Sequence, residues 1–229
     1  YPVRIDPTFT DENWVSMGGL PGTDGKIYAA AVDPSGNLYM GGEFTIAGDV
    51  LATNVARWDG SRWSALGSGV DDYVYALAVS GSNVYVGGLF TTAGGMAANY
   101  VAKWDGSSWS ALGSGTIGGV LALAVSGTDV YVGGSFSTAG GVAANKVAKW
   151  DGSSWSALGS GMNDYGYVYA LAVSGTDVYA GGDFTTAGGK VSAYVAKAVL
   201  GLAPGAGLAK TITVSKATPT IVFQGTPGS

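Results

Sequence analysis

The chain has 229 residues, which is long enough for one sizeable all-β domain or for one domain with a short appendage. It contains no cysteine and no histidine, so thiol nucleophiles, imidazole bases, disulfides and Cys/His zinc sites are excluded. With a net charge of -5 and only 12% charged residues, it offers no basic surface for nucleic acid.

The composition favours strands. Glycine accounts for 40 residues without the triplet period of collagen, and Val, Ala, Thr and Tyr are frequent. No apolar run approaches the roughly 18 residues of a membrane-spanning helix, and the runs are shorter than the about 9–11 residues of an outer-membrane strand. We therefore predict an all-β protein without membrane insertion.

One double glycine, at the end of a short apolar run, recurs at a nearly constant spacing of 46, 46 and 48 residues. Its four copies are Gly41-Gly42, Gly87-Gly88, Gly133-Gly134 and Gly181-Gly182. Repeats of this length are typical of propeller blades or solenoid units. In each copy an apolar run comes first and predicts an innermost strand that is buried on both faces. These runs are Ile27–Val32, Val74–Val79, Val120–Val125 and Val168–Val173. A short polar turn then leads to a second strand that ends in the double glycine.

The third and fourth strands of each copy flank an Asp-Gly turn. The sequence VAKWDGSSWSALGSG stands at Val101–Gly115 and again at Val147–Gly161. Asp-Gly between apolar runs is a strong hairpin signal, so Asp59, Asp105 and Asp151 are interpreted as turn formers and not as calcium ligands. We expect the paired Trp residues to pack along the sheets, with a lectin-like ring of exposed indoles as the alternative.

The fourth copy lacks its fourth strand, because Ala198-Val199-Leu200 stands where Trp-Asp-Gly is expected. The segment Asn13–Gly18 (NWVSMG) matches Arg62–Gly67 (RWSALG), with Trp14 for Trp63 and Met17 for Leu66. We therefore predict that residues 1–199 form a four-bladed β-propeller of four-stranded blades, closed by the N-terminal strand. In a longer array, the edges would be open or completed by another copy.

Residues 200–229 form a predicted C-terminal extended tail, a Gly/Pro/Ala linker followed by two short strand-like runs. The tail is too short to bury a core of its own. It packs on the propeller, extends a sheet edge of another subunit, or begins a further domain.

The second strands (VYVGG), the aromatic-flanked Asp-Gly turns and the Trp residues on the outer strands resemble the kelch-type propellers. The segment Ala31–Phe44 is similar to the propeller repeats of secreted bacterial surface proteins, and Lys216–Ile221 is similar to the linker that opens bacterial immunoglobulin-like surface modules. Together the resemblances imply an extracellular or cell-surface bacterial protein. Enzymatic relatives hold copper with His, Tyr and Cys, a function that cannot be transferred to a chain without His and Cys.

The loops that join successive blades differ between copies, whereas the turns at the other face are nearly constant. Divergent loops on a constant scaffold are free to acquire a partner. The candidate ligand-binding residues in these loops are Asp71, Asp72, Tyr73, Asn163, Asp164, Tyr165 and Tyr167. Acids and tyrosines bind a sugar or a hard cation, and the alternative is that they are solvated turn residues. A glycosidase-type carboxylate pair is a further alternative, but the sequence fixes no separation between two acids.

We therefore expect a non-enzymatic structural or adhesive module with no cofactor and no metal site. Its partners are expected to be other copies of itself, through residues 200–229, or surface glycans bound by the variable loops. Self-assembly would use main-chain hydrogen bonds of a donated strand.

Overall fold

The structure is a computed structural model that describes residue 17 and residues 22–163 and 165–200. This part of the chain consists of strands, turns and loops, which confirms the all-β prediction. It contains no helix with the length and apolar character that crossing a membrane requires.

Four similar units follow one another, and we call each unit a blade. Blade 1 contains β1 (Lys26–Val32), β2 (Leu38–Glu43), β3 (Ile46–Ala47), β4 (Val50–Leu51), β5 (Val55–Trp58) and β6 (Trp63–Ala65). Blade 2 contains β7 (Val74–Ser80), β8 (Asn83–Gly88), β9 (Thr92–Ala93), β10 (Met96–Ala97), β11 (Val101–Trp104) and β12 (Trp109–Ala111). Blade 3 contains β13 (Val120–Ser126), β14 (Asp129–Gly134), β15 (Thr138–Ala139), β16 (Val142–Ala143), β17 (Val147–Trp150) and β18 (Trp155–Ala157). Blade 4 contains β19 (Val168–Ser174), β20 (Asp177–Gly182), β21 (Thr186–Ala187), β22 (Lys190–Val191) and β23 (Val195–Val199).

Blades 1, 2 and 3 are each a four-stranded antiparallel meander. In blade 1 the strand order is β1-β2-β5-β6, and the equivalent strands are ordered in the same way in blades 2 and 3. Blade 4 has three strands in the described residues, in the order β19-β20-β23. The predicted four-stranded unit is therefore confirmed in blades 1, 2 and 3, and blade 4 shows three of its strands within the described residues. The predicted closing strand Asn13–Gly18, apart from Met17, lies outside the described residues, as does the tail beyond Leu200.

A small hairpin follows the second strand of every blade, and the sequence patterns did not predict it. In blade 2 it consists of β9 and β10, joined at Gly94 and Gly95 with φ of 60° and 77°. Two successive positive φ angles suit glycine and match the two-residue turn of a tight hairpin. The segment that leads into each blade forms a bridge to this hairpin, as between Val70 and Ala93. The hairpins therefore hold the blade-joining loops in place.

Neighbouring blades pack through their inner strands. Val74, at the start of β7, is fully buried and lies so close to Gly41 of blade 1 that no side chain would fit on that glycine. The inner strands β1, β7, β13 and β19 pack in this order, each on the next. Among the described residues, β1 and β19 do not pack on each other in this way, so the four blades form an open array.

The open array corrects one expectation from the sequence. Burial on both sides was predicted for all four inner strands, but it holds only for β7 and β13, which each have a blade on either side. Strands β1 and β19 expose most of their residues. Strands β7 and β19 have the same sequence, VYALAVS, so the difference arises from the neighbouring blade and not from the residues.

Candidate functional site

The blade-joining loops contain all seven candidate residues, which fall into two groups. Asp71, Asp72 and Tyr73 lie between blades 1 and 2, and the residues from Asn163 to Tyr167 lie between blades 3 and 4. Blades 2 and 3 lie between the two loops along the array. The structure therefore places the candidates at two separate positions and does not form one site from all of them.

Asp71 holds a neighbouring turn together. Its carboxylate accepts hydrogen bonds from the amides of Thr91 and Thr92, both at 2.8 Å, and from the Thr91 hydroxyl at 2.9 Å. Partial burial raises the pKa of Asp71, but these hydrogen bonds outweigh it and the pKa lies below its ordinary value. The carboxylate is thus occupied by the protein's own backbone.

The same arrangement recurs in two other blades. Asp24 accepts the amides of Thr45 and Ile46 at 2.8 Å in blade 1, and Asn163 accepts those of Thr185 and Thr186 at 2.8 and 3.1 Å in blade 4. In blade 3 this position is taken by the exposed Ile117. The recurrence supports the interpretation of Asp71 and Asn163 as turn residues.

A cluster of tyrosines surrounds Glu43 near the start of blades 1 and 2. The hydroxyls of Tyr28 and Tyr73 each donate to the Glu43 carboxylate at 3.0 Å. Tyr75 completes the cluster, with its ring centroid 5.1 Å from that of Tyr28 and 6.2 Å from that of Tyr73. The hydrogen bonds to Glu43 raise the pKa of both Tyr28 and Tyr73, so the phenols remain neutral donors. We call Tyr28, Tyr73, Tyr75 and Glu43 the tyrosine cluster.

Asp72 contributes to this loop through its own neighbour, since its carboxylate accepts the Tyr73 amide at 2.7 Å. The sequence prediction found Tyr73 but missed Tyr28 and Tyr75. A signal was present, because tyrosine occupies the second position of the apolar run in three of the four inner strands. The prediction treated these runs as buried core and did not consider that their tyrosines reach the blade-joining loops.

A smaller aromatic group lies at the start of blade 4. The rings of Tyr167 and Tyr169 are 6.1 Å apart in an edge-on arrangement, and the Lys146 ammonium lies 5.7 Å from the Tyr167 centroid. Asp183 accepts hydrogen bonds from the Tyr167 amide and from the Tyr169 hydroxyl. Tyr165 is almost fully exposed at 93%, and Asp164 lies outside the described residues.

The Asp-Gly turns at the opposite face are built as predicted. In blade 2, Asp105 accepts the amides of Ser107 and Ser108 at 2.8 Å together with both of their hydroxyls at 2.9 Å. The Ser107 and Ser108 amides, followed by the hydroxyls, hold the pKa of Asp105 well below its ordinary value. Asp59 and Asp151 have corresponding bonds and depressed pKa values. Across residues 22–163 and 165–200, no group of three or more acidic side chains is arranged to hold a metal ion.

The Trp pairs pack between blades. Trp63, Trp109 and Trp155, which open the fourth strands, are each at most 8% exposed. In blade 2 the rings of Trp104 and Trp109 lie 5.4 Å apart, and the Trp109 indole donates to the carbonyl of Leu66 in blade 1 at 2.7 Å. This burial agrees with the packing role and leaves no ring of exposed fourth-strand indoles in the described blades.

No protein-family model matches the sequence, and no curated protein matches it. Among solved structures, the chain is similar to the crystal structure of the computationally designed Ika8 protein, with a TM-score of 0.50 and 21% sequence identity. The match covers 80% of this chain and 48% of that chain, so the chain spans about half the length of the designed protein. At this identity the likeness concerns the fold alone.

Proposed function

We propose that this protein is a non-enzymatic structural or adhesive module of the β-propeller type, working outside the cell or at its surface. The observation that carries the proposal is that its recurring carboxylates accept hydrogen bonds from neighbouring turns of the protein itself. Asp71 and Asp105 each accept several hydrogen bonds from backbone amides and hydroxyls of their own turns. Carboxylates held in this way build the scaffold and are not free to act as acids or bases.

The propeller in this proposal is a ring closed by the strand Asn13–Gly18, with four blades in its simplest form. Met17 supports the strand assignment, because its side chain packs against the cluster that contains Trp63. Leu66, the residue that Met17 matches in the repeat, packs in the same way in the cluster that contains Trp109. Met17 thus has the contact expected of a residue in a fourth strand that precedes blade 1.

A kelch-like relationship and a surface location are further parts of the proposal. They rest on the resemblance carried by the VYVGG strands, the Asp-Gly turns and the tail segment Lys216–Ile221. Assembly through residues 200–229 belongs to the proposal as well.

Electron microscopy and sedimentation of the full chain and of a chain ending at Val199 test the tail. If the tail donates a strand to another subunit, the full chain forms filaments or large oligomers that the shortened chain does not form. Assemblies of the same size from both proteins would remove the tail from the proposal.

The tyrosine cluster favours a second candidate function, the binding of a carbohydrate. Sugars are bound by stacking on aromatic rings and by hydrogen bonds to acidic groups, and Tyr28, Tyr73, Tyr75 and Glu43 offer both at a partly exposed position. Binding here would make the module adhesive.

Glycan-array screening of the wild type, Tyr73→Ala and Tyr165→Ala discriminates between the two candidates. If sugar binds at the tyrosine cluster, Tyr73→Ala loses at least about tenfold in signal, the equivalent of one strong contact of about 1.4 kcal/mol. Ile117→Ala, in a blade-joining loop without tyrosine, is the control and keeps the wild-type signal. Absence of any signal, or a signal that neither tyrosine variant changes, counts against a sugar site in these loops.

A further inference from the structure

A cavity of about 520 Å³ lies between blades 3 and 4, beside β23. Leu158 and Met162 line it from the side of blade 3, and Ala180, Gly188 and Ala196 line it from blade 4. At the matching place in each of the other blades, the Trp that opens the fourth strand fills this space. The cavity therefore marks the position of a fourth strand that the described part of blade 4 does not have.

The glycines around the cavity show the shape of the missing group. A Cβ atom placed on Gly94 would lie 2.6 Å from Cδ1 of Trp109, and Gly48 and Gly140 face Trp63 and Trp155 equally closely. A Cβ placed on Gly188, the equivalent residue of blade 4, would meet no atom of the described residues within 4 Å. An indole is the group that occupies this position three times in the same chain.

The cavity also offers the polar partner of an indole. The Trp109 and Trp155 indoles donate to the carbonyls of Leu66 and Leu112 in the preceding blade, at 2.7 and 2.8 Å. Leu158 is the equivalent residue before blade 4, and its carbonyl accepts the Gly161 amide just as those of Leu66 and Leu112 accept their own turn amides. Leu158 lines the cavity, and its carbonyl oxygen has a second lone pair that can accept an indole N–H there.

The inner edges of the array are complementary as well. Gly41 packs against Val74 of the next blade, and Gly133 against Val168. Near Gly181 of blade 4, the described residues within 4 Å of a placed Cβ belong to blade 4 itself. At the other end, Ile27 of blade 1 holds the position of Val74 and is 37% exposed. Inside the array, a glycine of one blade meets an aliphatic residue of the next blade three times. Gly181 at one end and Ile27 at the other are the two residue types of that same contact.

We propose that the blade 4 cavity receives the Trp14 indole of a second copy of this chain, so that Asn13–Gly18 of one copy becomes the fourth strand of blade 4 in another. This inference rests on the proposed structural role and names the surface through which that role is exercised. Ile27 of the second copy then packs on Gly181, as Val74 packs on Gly41 within the chain.

A second copy is the favoured occupant because one described chain leaves both ends open. Strands β1 and β19 do not pack on each other, and Ile27 and Val32 are exposed at one end while Tyr169 and Tyr179 are exposed at the other. A head-to-tail contact between copies covers both ends, and such contacts either close into a ring or continue as a filament. A ring of two copies is the smallest assembly that leaves no blade face free.

The test compares two neighbouring glycines in the full chain. Asn tolerates the left-handed backbone of Gly188 (φ 58°) and places a Cβ where the indole enters, so Gly188→Asn blocks the cavity. Gly189→Asn is the matched control. Gly189 has φ 73°, a Cβ placed on it would meet no atom of the described residues within 4 Å, and its equivalents Gly95 and Gly141 do not face an indole. By light scattering after size-exclusion chromatography, we expect the wild type and Gly189→Asn to be dimers or larger, and Gly188→Asn to have the mass of one chain.

A mixing experiment tests whether Trp14 of one copy enters the blade 4 cavity of another. Trp14→Ala keeps the cavity but loses the indole, and Gly188→Asn keeps the indole but loses the cavity. Each alone is expected to be monomeric, and an equimolar mixture is expected to form a species of twice the monomer mass. Circular dichroism checks that both variants retain the strand spectrum.

Three results overturn the inference: a wild type that is monomeric at all concentrations, variants that both keep the wild-type mass, or a mixture that stays monomeric. Loss of assembly only after deletion of residues 200–229 assigns it to the tail and also overturns the inference. A monomeric wild type also removes assembly through the tail, but it leaves the rest of the structural-module proposal standing, because that rests on the hydrogen-bonded carboxylates of the turns and not on stoichiometry.

Discussion

The indole of Trp109 in blade 2 donates a hydrogen bond of 2.7 Å to the main-chain carbonyl of Leu66 in blade 1. The bond is buried, and Trp155 repeats it on Leu112 between blades 2 and 3. It joins the outer strands of neighbouring blades at the side away from the inner strands. The equivalent carbonyl of Leu158 accepts the Gly161 amide but no indole from the described residues, and this difference is the basis of the proposed assembly.

Replacing Trp109 by Phe removes this bond while keeping an aromatic ring. We expect a loss of about 1–3 kcal/mol in the free energy of unfolding, because a buried carbonyl loses a partner and the smaller ring leaves a void. Denaturant unfolding measures the loss. Trp104→Phe is the control, since that half-buried indole stacks on Trp109 without bridging to Leu66, and an equal loss in both variants would argue against the bond as a blade-to-blade contact.

Alanine substitutions at Gly94 and Gly95 distinguish the cost of backbone strain from the cost of a clash with a packed side chain. Both have positive φ, so alanine at either position costs about 1–2 kcal/mol in backbone conformation. Only Gly94→Ala also brings a Cβ against the Trp109 ring. We expect Gly94→Ala to lower the unfolding free energy by about 1–3 kcal/mol more than Gly95→Ala, as in overpacked cores. Equal thermal shifts in the two variants would contradict the packing.

Ile117 is the one exposed apolar residue in the series Asp24, Asp71, Ile117 and Asn163. If the polar members serve to bind turn amides, Ile117→Asp supplies the missing acceptor to Ser137 and Thr138 and stabilises the chain by about 0.5–1.5 kcal/mol. Asp71→Ile is the reverse change and destabilises. Calorimetry measures both shifts, and a Tm that falls on Ile117→Asp would show that the carboxylates have another role.

The Asp-Gly turns predict an acid dependence of stability. The folded-state pKa values of Asp59, Asp105 and Asp151 lie well below the ordinary value of 3.8, so their contribution is complete above about pH 5 and is lost as pH falls below about 4. In the triple variant Asp59→Asn, Asp105→Asn and Asp151→Asn, one oxygen acceptor remains at each turn but the charge is gone. The Tm difference between wild type and variant should therefore shrink as pH falls from 5 to 2. A difference that grows toward acid would have the wrong sign for this account.

The sequence predicted the parts of the fold that depend on neighbouring residues. The Asp-Gly hairpins and the strands before the double glycines follow from local patterns. The small hairpins were missed because their strands have two residues each, too few for an alternating pattern. The Gly-Gly at the turn of three of them, as at Gly94-Gly95, and the Gly48-Asp49 of blade 1 were nevertheless readable turn signals.

Other features depend on distant parts of the chain and were not predictable from a local pattern. Asp71 has its role through amides some twenty residues away, at Thr91 and Thr92. The tyrosine cluster joins Tyr28 and Glu43 of blade 1 to Tyr73 at the entry of blade 2. The open ends are the clearest case, because identical strands are buried in blade 2 and exposed in blade 4.

The position of the N-terminal strand is the central claim, and a designed disulfide tests it in a chain that has no cysteine. Ala102 pairs with Ala111 and Ala148 with Ala157, and the repeat aligns Ala196 and Ser16 with these pairs. Opposed residues in antiparallel strands have Cβ atoms about 4.5–5.5 Å apart, close enough to trap as a disulfide with a small backbone movement.

Non-reducing electrophoresis of Ser16→Cys/Ala196→Cys is the most direct measurement, with Ser16→Cys/Ala102→Cys as the control because Ala102 already has a partner strand. We predict a covalent species of two or more chains that reduction returns to one chain, and no such species in the control. A disulfide within a single chain, or no disulfide at all, would contradict completion of blade 4 by a second copy.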